Sequence, residues 1–149
     1  MKTREADRQD IDLTYQWATD PLVRQNSYSS DAITIEGHRK WFLRKLEDNE
    51  ALFIIMEVDG TPVGLVRFER NDTQFVIGIT VAPDQRGKGY ATKMLVEGLK
   101  EYSLRWNKPV YAYIKVENVA SVKAFQRAGF EFEKDLTYLG APSKLFIWK

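Results

Sequence analysis

Arg86, Gly87, Lys88 and Gly89 stand together in the stretch VAPDQRGKGYAT, residues 81–92. Two glycines two apart are interleaved with cations, after a run that reads as a strand and before one that reads as a helix. Such a loop suits an anion. A helix starting near Gly89 leaves its first N–H groups without partners, and its dipole adds about half a positive charge there. Glycine lets the backbone approach a ligand without Cβ obstruction, and Arg86, Lys88 and Lys93 add charge. A loose turn with solvated cations would look the same. Two familiar nucleotide loops are rejected. The spacing fails G-x-x-x-x-G-K-[S/T], and G-x-G-x-x-G breaks at Thr92 and should open the first βα unit of a chain, whereas this loop lies past the middle.

Other chemistry is removed by composition. The 149 residues hold no cysteine and one histidine, His38. Disulfides, thiolate metal ligands and a cysteine nucleophile therefore fall away, with any zinc site or Ser-His-Asp triad needing a further histidine. No metal is expected. Lys+Arg 22 against Asp+Glu 21 leaves a net charge of +1, so nothing global draws nucleic acid or a membrane, and anion binding must be local. No apolar run approaches the ~18 residues of a membrane span. The start, MKTREADRQD, is charged rather than apolar and does not read as a signal peptide, so a cytoplasmic location is expected. With 44% hydrophobic residues the chain reads as one globular domain over residues 1–149.

The elements that must position the loop follow from spacing. Lys2–Ala6 suits a first strand. Asp10 is a good N-cap for a helix carrying Leu13 and Trp17, which Asp20-Pro21 should end. Thr34 can cap a second helix with the stripe Ile35, His38, Phe42 and Leu46. Ala51–Val58, a turn at Asp59-Gly60, Thr61–Glu69, a turn at Asn71-Asp72 and Gln74–Val81 make three antiparallel strands in a row. Tyr90, Met94, Leu95, Leu99 and Tyr102 have helical spacing. Pro109–Val116 reads as a strand, Asn118–Ala128 as a helix closed by Gly129, and Phe130–Tyr138 and Lys144–Trp148 as two last strands. The expected fold is α/β (α+β): a single domain with a mixed central sheet of about seven strands flanked by about four helices.

Arg86-x-x-Gly89-x-Ala91, after the strand end Val81-Ala82-Pro83, resembles motif A of the GCN5-related N-acetyltransferases, [Q/R]-x-x-G-x-[G/A]. The run from Asn118 to Phe130 resembles their motif B, N-x-x-S-x-x-x-[Y/F]-x-x-x-G-F, through Asn118, Ser121, Phe125, Gly129 and Phe130. The two blocks keep the family's order and spacing, and the likeness spans essentially the whole chain. It implies acetyl-CoA as co-substrate and direct attack of an amine on the thioester. By that resemblance the backbone of Arg86, Gly87, Lys88, Gly89, Tyr90 and Ala91 holds the pyrophosphate. Ile79 and Val81 pair with the pantetheine arm, Asn118 contacts that arm as well as capping its helix, and Phe125 packs against it. Many relatives carry a tyrosine acid where Phe125 stands and a glutamate on the fourth strand, which here has no carboxylate. Ser121, water or the attacking ammonium is left to protonate the thiolate. His38 reads either as a half-buried helix residue or as a base, its unperturbed pKa of about 6.5 suiting that role.

The stretch from Trp17 to Ser30 follows W-x-x-D-P-x-V-R-x-N-S-[F/Y]-x-S, continued by His38-x-x-Trp41-Phe42 and Gly64-x-x-Arg67-Phe68. It is similar to acetyltransferases acting on nucleotide-linked amino sugars in pathways to pseudaminic- and sialic-acid-like sugars of surface polysaccharides. That resemblance implies an acceptor held by Arg24, Asn26, Ser27, Tyr28, His38, Trp41 and Arg67, with the arginines facing a diphosphate. Protein N-terminal acetylation and a non-catalytic acetyl-CoA-binding module stand as alternatives. A polyamine or antibiotic acceptor would call for an acidic cleft, which the sequence does not locate. Expected partners are thus a small-molecule amine, a nucleotide sugar by resemblance, and a second copy in a homodimer, with neither nucleic acid nor membrane.

Overall fold

A computed structural model describes residues 1–29 and 32–149; Ser30, the last position of the N-terminal motif, lies outside the described residues. In chain order the elements are β1 (Lys2–Glu5), α1 (Ile11–Ala18), α2 (Pro21–Asn26), α3 (Ile35–Glu47), β2 (Ala51–Val58), β3 (Thr61–Asn71), β4 (Gln74–Val81), α4 (Tyr90–Ser103), β5 (Val110–Lys115), α5 (Val119–Arg127), β6 (Glu131–Tyr138) and β7 (Ala141–Trp148). The seven strands form one mixed sheet in the order β1-β2-β3-β4-β5-β7-β6. All neighbours are antiparallel except β4 and β5.

Strand β2 shows why the core has two halves. Leu52, Ile54 and Met56 pack with Met94, Leu95, Leu99 and Tyr102 of α4 and Ala124 and Phe125 of α5. Phe53 and Ile55, pointing the other way, pack with Ile11 and Trp17 of α1 and Phe42 of α3. A strand covered on both faces must be apolar at every position, and ALFIIMEV nearly is. The α4 face and the α1–α3 face thus sandwich the sheet centre, while β6 lies at an edge and is mostly exposed.

Two readings near the N-terminus need correction. Asp10 sits at the N-cap of α1 but makes no side-chain cap; Asp7 caps the preceding turn instead. The Asp10 carboxylate accepts both terminal nitrogens of Arg4 at 2.8 Å and the Asp7 N–H. Burial alone would raise this carboxyl, but Arg4 and the Asp7 amide hold it below the ordinary value. The second correction is α2. Asp20-Pro21 ends α1 as expected, yet Asp20 also accepts the N–H groups of Leu22 and Val23, and Pro21 occupies the first turn of a new helix. Among the described residues five helices flank the sheet, in keeping with the expected about four. At the other end β7 begins at Ala141, because Leu139-Gly140 makes a two-residue hairpin with β6.

One irregularity of the sheet creates the site. β4 and β5 pair only at Phe75–Val110 and Val76–Tyr111. Beyond those two pairs the parallel strands separate, and the backbone of Ile77–Val81 on that side has no strand to bond. Backbone polar groups need partners, so the opening is a place for a ligand that supplies them.

Candidate donor and acceptor sites

Two cavities meet in the opening between β4 and β5. Asn26, Ser27, Arg67, Ile79, Asn118 and Ser121 line both, so they form one passage through the sheet.

The first cavity, about 420 Å³, lies against the glycine loop and the N-termini of α4 and α5. Ile79 and Val81 of β4, then Arg86, Gly87, Gly89, Tyr90 and Ala91, line it. Gly89 is the N-cap of α4 and has φ +74°, with no side-chain cap. A Cβ there would meet nothing within 4 Å, so glycine is required by the backbone conformation and the space above it is free. The uncapped first turn of α4 therefore offers its N–H groups to an anion. Arg67 and Arg127, the latter at the C-terminal end of α5, line the cavity along with Arg86, and the described lining holds no carboxylate. Arg86 is itself tied to Asp20, the cap of α2, and its guanidinium holds that carboxyl below the ordinary range. The donor loop and α2 are thus joined. Lys88 does not line the cavity; its ammonium donates to Gln85 at 3.1 Å. Asn118 Oδ1 accepts the Ser121 N–H at 3.3 Å and caps α5, leaving its amide NH₂ for a ligand.

The second cavity, about 580 Å³, is walled by Asn26, Ser27, Tyr28, Trp41, Arg67, Phe125, Tyr113, Lys115 and Tyr138 among others. Arg67 is positioned by the absence of a side chain opposite it. A Cβ on Gly78 would come within 2.4 Å of Arg67 Nη2. The guanidinium lies 5.7 Å from the Trp41 ring centre and donates to Glu69 at 3.2 Å. Glu69 also receives Lys45 at 3.1 Å, so the one carboxylate of this described lining is shared by two cations. The tyrosines form a connected group. Tyr113 stacks on Tyr138 with centres 3.9 Å apart, Tyr138 meets Tyr28 edge-on, and Tyr28 hydrogen-bonds Ser143 at 2.7 Å. Burial pushes both Tyr28 and Tyr113 up, so their phenols stay protonated at neutral pH. Lys115 Nζ donates to the Gln25 carbonyl at 3.0 Å and lies over the Tyr28 ring, tying β5 to α2.

Two expected acceptor residues stand elsewhere. Arg24 lines neither cavity, its guanidinium donating to the Ser29 carbonyl. His38, offered as a base, is 5% exposed and lies in the α1–α3 half of the core. Tyr15, Trp41 and Phe42 surround its ring at 5.6–5.7 Å. Thr14 gives its hydroxyl proton to the Asp10 carbonyl at 2.7 Å, so its oxygen accepts from His38 Nε2 at 2.9 Å. Burial lowers the imidazole pKa, and the group is a neutral core residue behind Trp41. Phe125 is buried edge-on to Phe130 and reaches the second cavity. Sequence reasoning missed Tyr113, Lys115, Tyr138 and Leu139. The alternation of VYAYIK puts Tyr113 and Lys115 on one face, but nothing local says that this face meets α2.

The arrangement places an anion cradle, a strand edge lacking a partner and a polar aromatic chamber in one line. The acetyltransferase (GNAT) domain family matches residues 2–131. An uncharacterized N-acetyltransferase of Methanocaldococcus jannaschii is 30% identical over 105 residues, covering 65% of this chain and 45% of that protein. The uncharacterized N-acetyltransferase YfmK of Bacillus subtilis is 33% identical over 95 residues, covering 63% of this chain and 64% of its own. The chain thus spans less than two thirds of the length of both. The crystal structure of spermidine N-acetyltransferase from Vibrio cholerae, in complex with CoA and spermine, superposes with a TM-score of 0.87 at 18% identity, covering 99% of this chain and 94% of that one. The chain belongs to the GNAT acetyltransferase domain family.

Proposed function

We propose that this domain transfers the acetyl group of acetyl-CoA to the amino group of a nucleotide-linked amino sugar. The observation that carries the choice of acceptor is the charge of the second cavity. Among the described residues its lining sets Arg67 and Lys115 against Glu69 alone, and Glu69 is already held by Arg67 and Lys45. A polycation would meet like charge there, whereas a diphosphate would meet a guanidinium able to bond it in bidentate fashion. Trp41, Tyr28, Tyr113 and Tyr138 supply flat faces and hydroxyls suited to rings bearing oxygen.

The chemistry asks little more of the protein. The acceptor nitrogen, deprotonated through water, attacks the thioester carbon; the N–C bond forms and the C–S bond breaks. Backbone N–H groups of β4 on the side that β5 leaves unpaired would stabilise the oxyanion, a contribution of about 3 kcal/mol per donor. A thiol of pKa about 8.5 leaves tolerably as thiolate at neutral pH. Ser121, which lines both cavities as Ser27 does, is the hydroxyl assigned to protonate it. The test is thiol release from acetyl-CoA with a panel: a UDP-4-amino-sugar, spermine, an aminoglycoside and a ribosomal-protein N-terminal peptide. Turnover with the sugar above the others is expected; turnover with the peptide or spermine and none with the sugar overturns the reading.

A further inference from the structure

Three described residues other than glycine take positive φ: Asp59 at +51°, Asp72 at +61° and Leu139 at +46°. Asp tolerates this region because its short polar side chain bonds locally; leucine has no such compensation. The chain carries its own control. Asp59-Gly60 joins β2 to β3, and Leu139-Gly140 joins β6 to β7, each a two-residue hairpin with both residues at positive φ. That turn prefers Asn-Gly or Asp-Gly. The first hairpin obeys the preference and the second does not.

Core packing does not explain the exception. Leu139 is 69% exposed, the most exposed large apolar residue here after Leu104. It does, however, line the acceptor cavity, directly after Tyr138 of the Tyr113–Tyr138 stack. An unfavourable backbone state, occupied by an exposed apolar side chain at the mouth of a site, is strain retained for contact with something else.

We infer that Leu139 is a specificity-determining residue for the acceptor, closing an apolar contact over the ring that lies against the Tyr113–Tyr138 pair. The inference rests on the acceptor reading of that cavity, though not on the acceptor being a nucleotide sugar. A ring has an apolar face and edge that a leucine covers; a linear amine gives it nothing to span. Position 139 therefore separates cyclic from linear acceptors.

The test is Leu139→Asn, which relieves the turn while removing the contact. Because asparagine is the favoured residue there, the variant folds, with Tm raised by about 2–4 °C. For the cyclic amines of the panel, the amino sugar and the aminoglycoside, KM should rise roughly 5–50-fold, as loss of most of a leucine contact implies, while any KM for spermine or the peptide should not change. The acetyl-CoA Kd should stay unchanged, and Leu139→Met should restore most of the KM. If the aminoglycoside proves the best acceptor, the nucleotide-sugar reading fails while the KM comparison still judges Leu139. An unchanged KM for the cyclic amines, or turnover confined to spermine and the peptide, overturns the inference. So does an unchanged KM with a shift in oligomeric state by ultracentrifugation, which would assign Leu139 to an interface between copies.

Discussion

Gly78→Ala adds a single methyl group and should disable the acceptor site without harming the fold. The new Cβ would lie 2.4 Å from Arg67 Nη2 and 2.8 Å from Cζ, closer than atoms can approach. Arg67 must therefore swing away, giving up its bond to Glu69 and its place beside Trp41. For stability the changes nearly cancel. Losing the partly exposed ion pair costs about 0.2–1 kcal/mol. Losing the cation–π contact costs about 0.5–1 kcal/mol, and replacing glycine within a strand returns about 0.5–1 kcal/mol. For the acceptor nothing cancels. A charge-assisted hydrogen bond contributes about 1.5–3 kcal/mol, so the acceptor KM should rise roughly 10–150-fold. Thiol release gives the KM, calorimetry the acetyl-CoA affinity, and thermal unfolding the stability. The decisive comparison is with Arg67→Ala and the double variant. If the methyl group acts only by displacing the guanidinium, it should have no further effect once Arg67 is gone. Additive losses would refute the reasoning, because they would mean that the methyl group blocks the passage itself.

Two other expectations concern the donor loop and the core. Gly89→Val puts a β-branched residue at φ +74° in open space, so it should lower Tm by ~2–8 °C through backbone strain of about 1–2 kcal/mol yet leave the domain folded. Acetyl-CoA affinity should fall at least ~100-fold with the lost amide contacts, and an unchanged calorimetric Kd would end the cradle assignment. Burial lowers the His38 pKa, so between its folded value and about 6.5 the unfolded chain binds more protons and stability rises with pH. Stability should therefore fall as pH drops below about 6.5, whereas Asp10 and Asp20, lowered by their arginine partners, withdraw theirs only below about 3.8. His38→Gln, which can still donate to Thr14, should flatten the first of these slopes in Tm scans from pH 4.5 to 8. Equal slopes in the two chains would place the titrating group elsewhere.

The donor half was legible because its requirements are local. Gly89 marks a left-handed backbone state and Asn118 a helix start, and both are visible in a few consecutive residues. Strand limits at Ala51–Val58 and Gln74–Val81 were equally plain, since turn residues bound each run. Asp10 was misjudged because a carboxylate before a helix looks like a cap, while its partner Arg4 comes from β1. Helix α2 was missed because Asp20-Pro21 serves as a stop and a start within two residues. The acceptor half was legible only in part. Trp41 and Arg67 are far apart in sequence and meet through the α3–β3 packing. Tyr28, Tyr113 and Tyr138 converge from α2's exit, β5 and β6, an arrangement set by where β4 and β5 part. Of the two readings of His38 the helix-face one holds: its stripe is apolar, and the histidine follows that stripe into the core.

Phe125 shows how the fold and the chemistry bear on each other. Where relatives with a tyrosine have an acid, this chain has a ring packed edge-on against Phe130 and closed to solvent on the core side. A hydroxyl there would have to reach the cavity or remain unsatisfied, which costs about 1–3 kcal/mol. The need for it is small. A thiolate of ordinary pKa carries only modest excess free energy near neutrality, and Arg67, Arg86 and Arg127 line the donor cavity with no carboxylate in its described lining. Positive charge along the route of departure stabilises the anion directly, so protonation can follow departure instead of accompanying it. On the proposed reading, the loop assigned to the donor's phosphates and the cations that would stabilise its leaving group share Arg86, and the aromatic chamber on the other side of Arg67 would choose the amine.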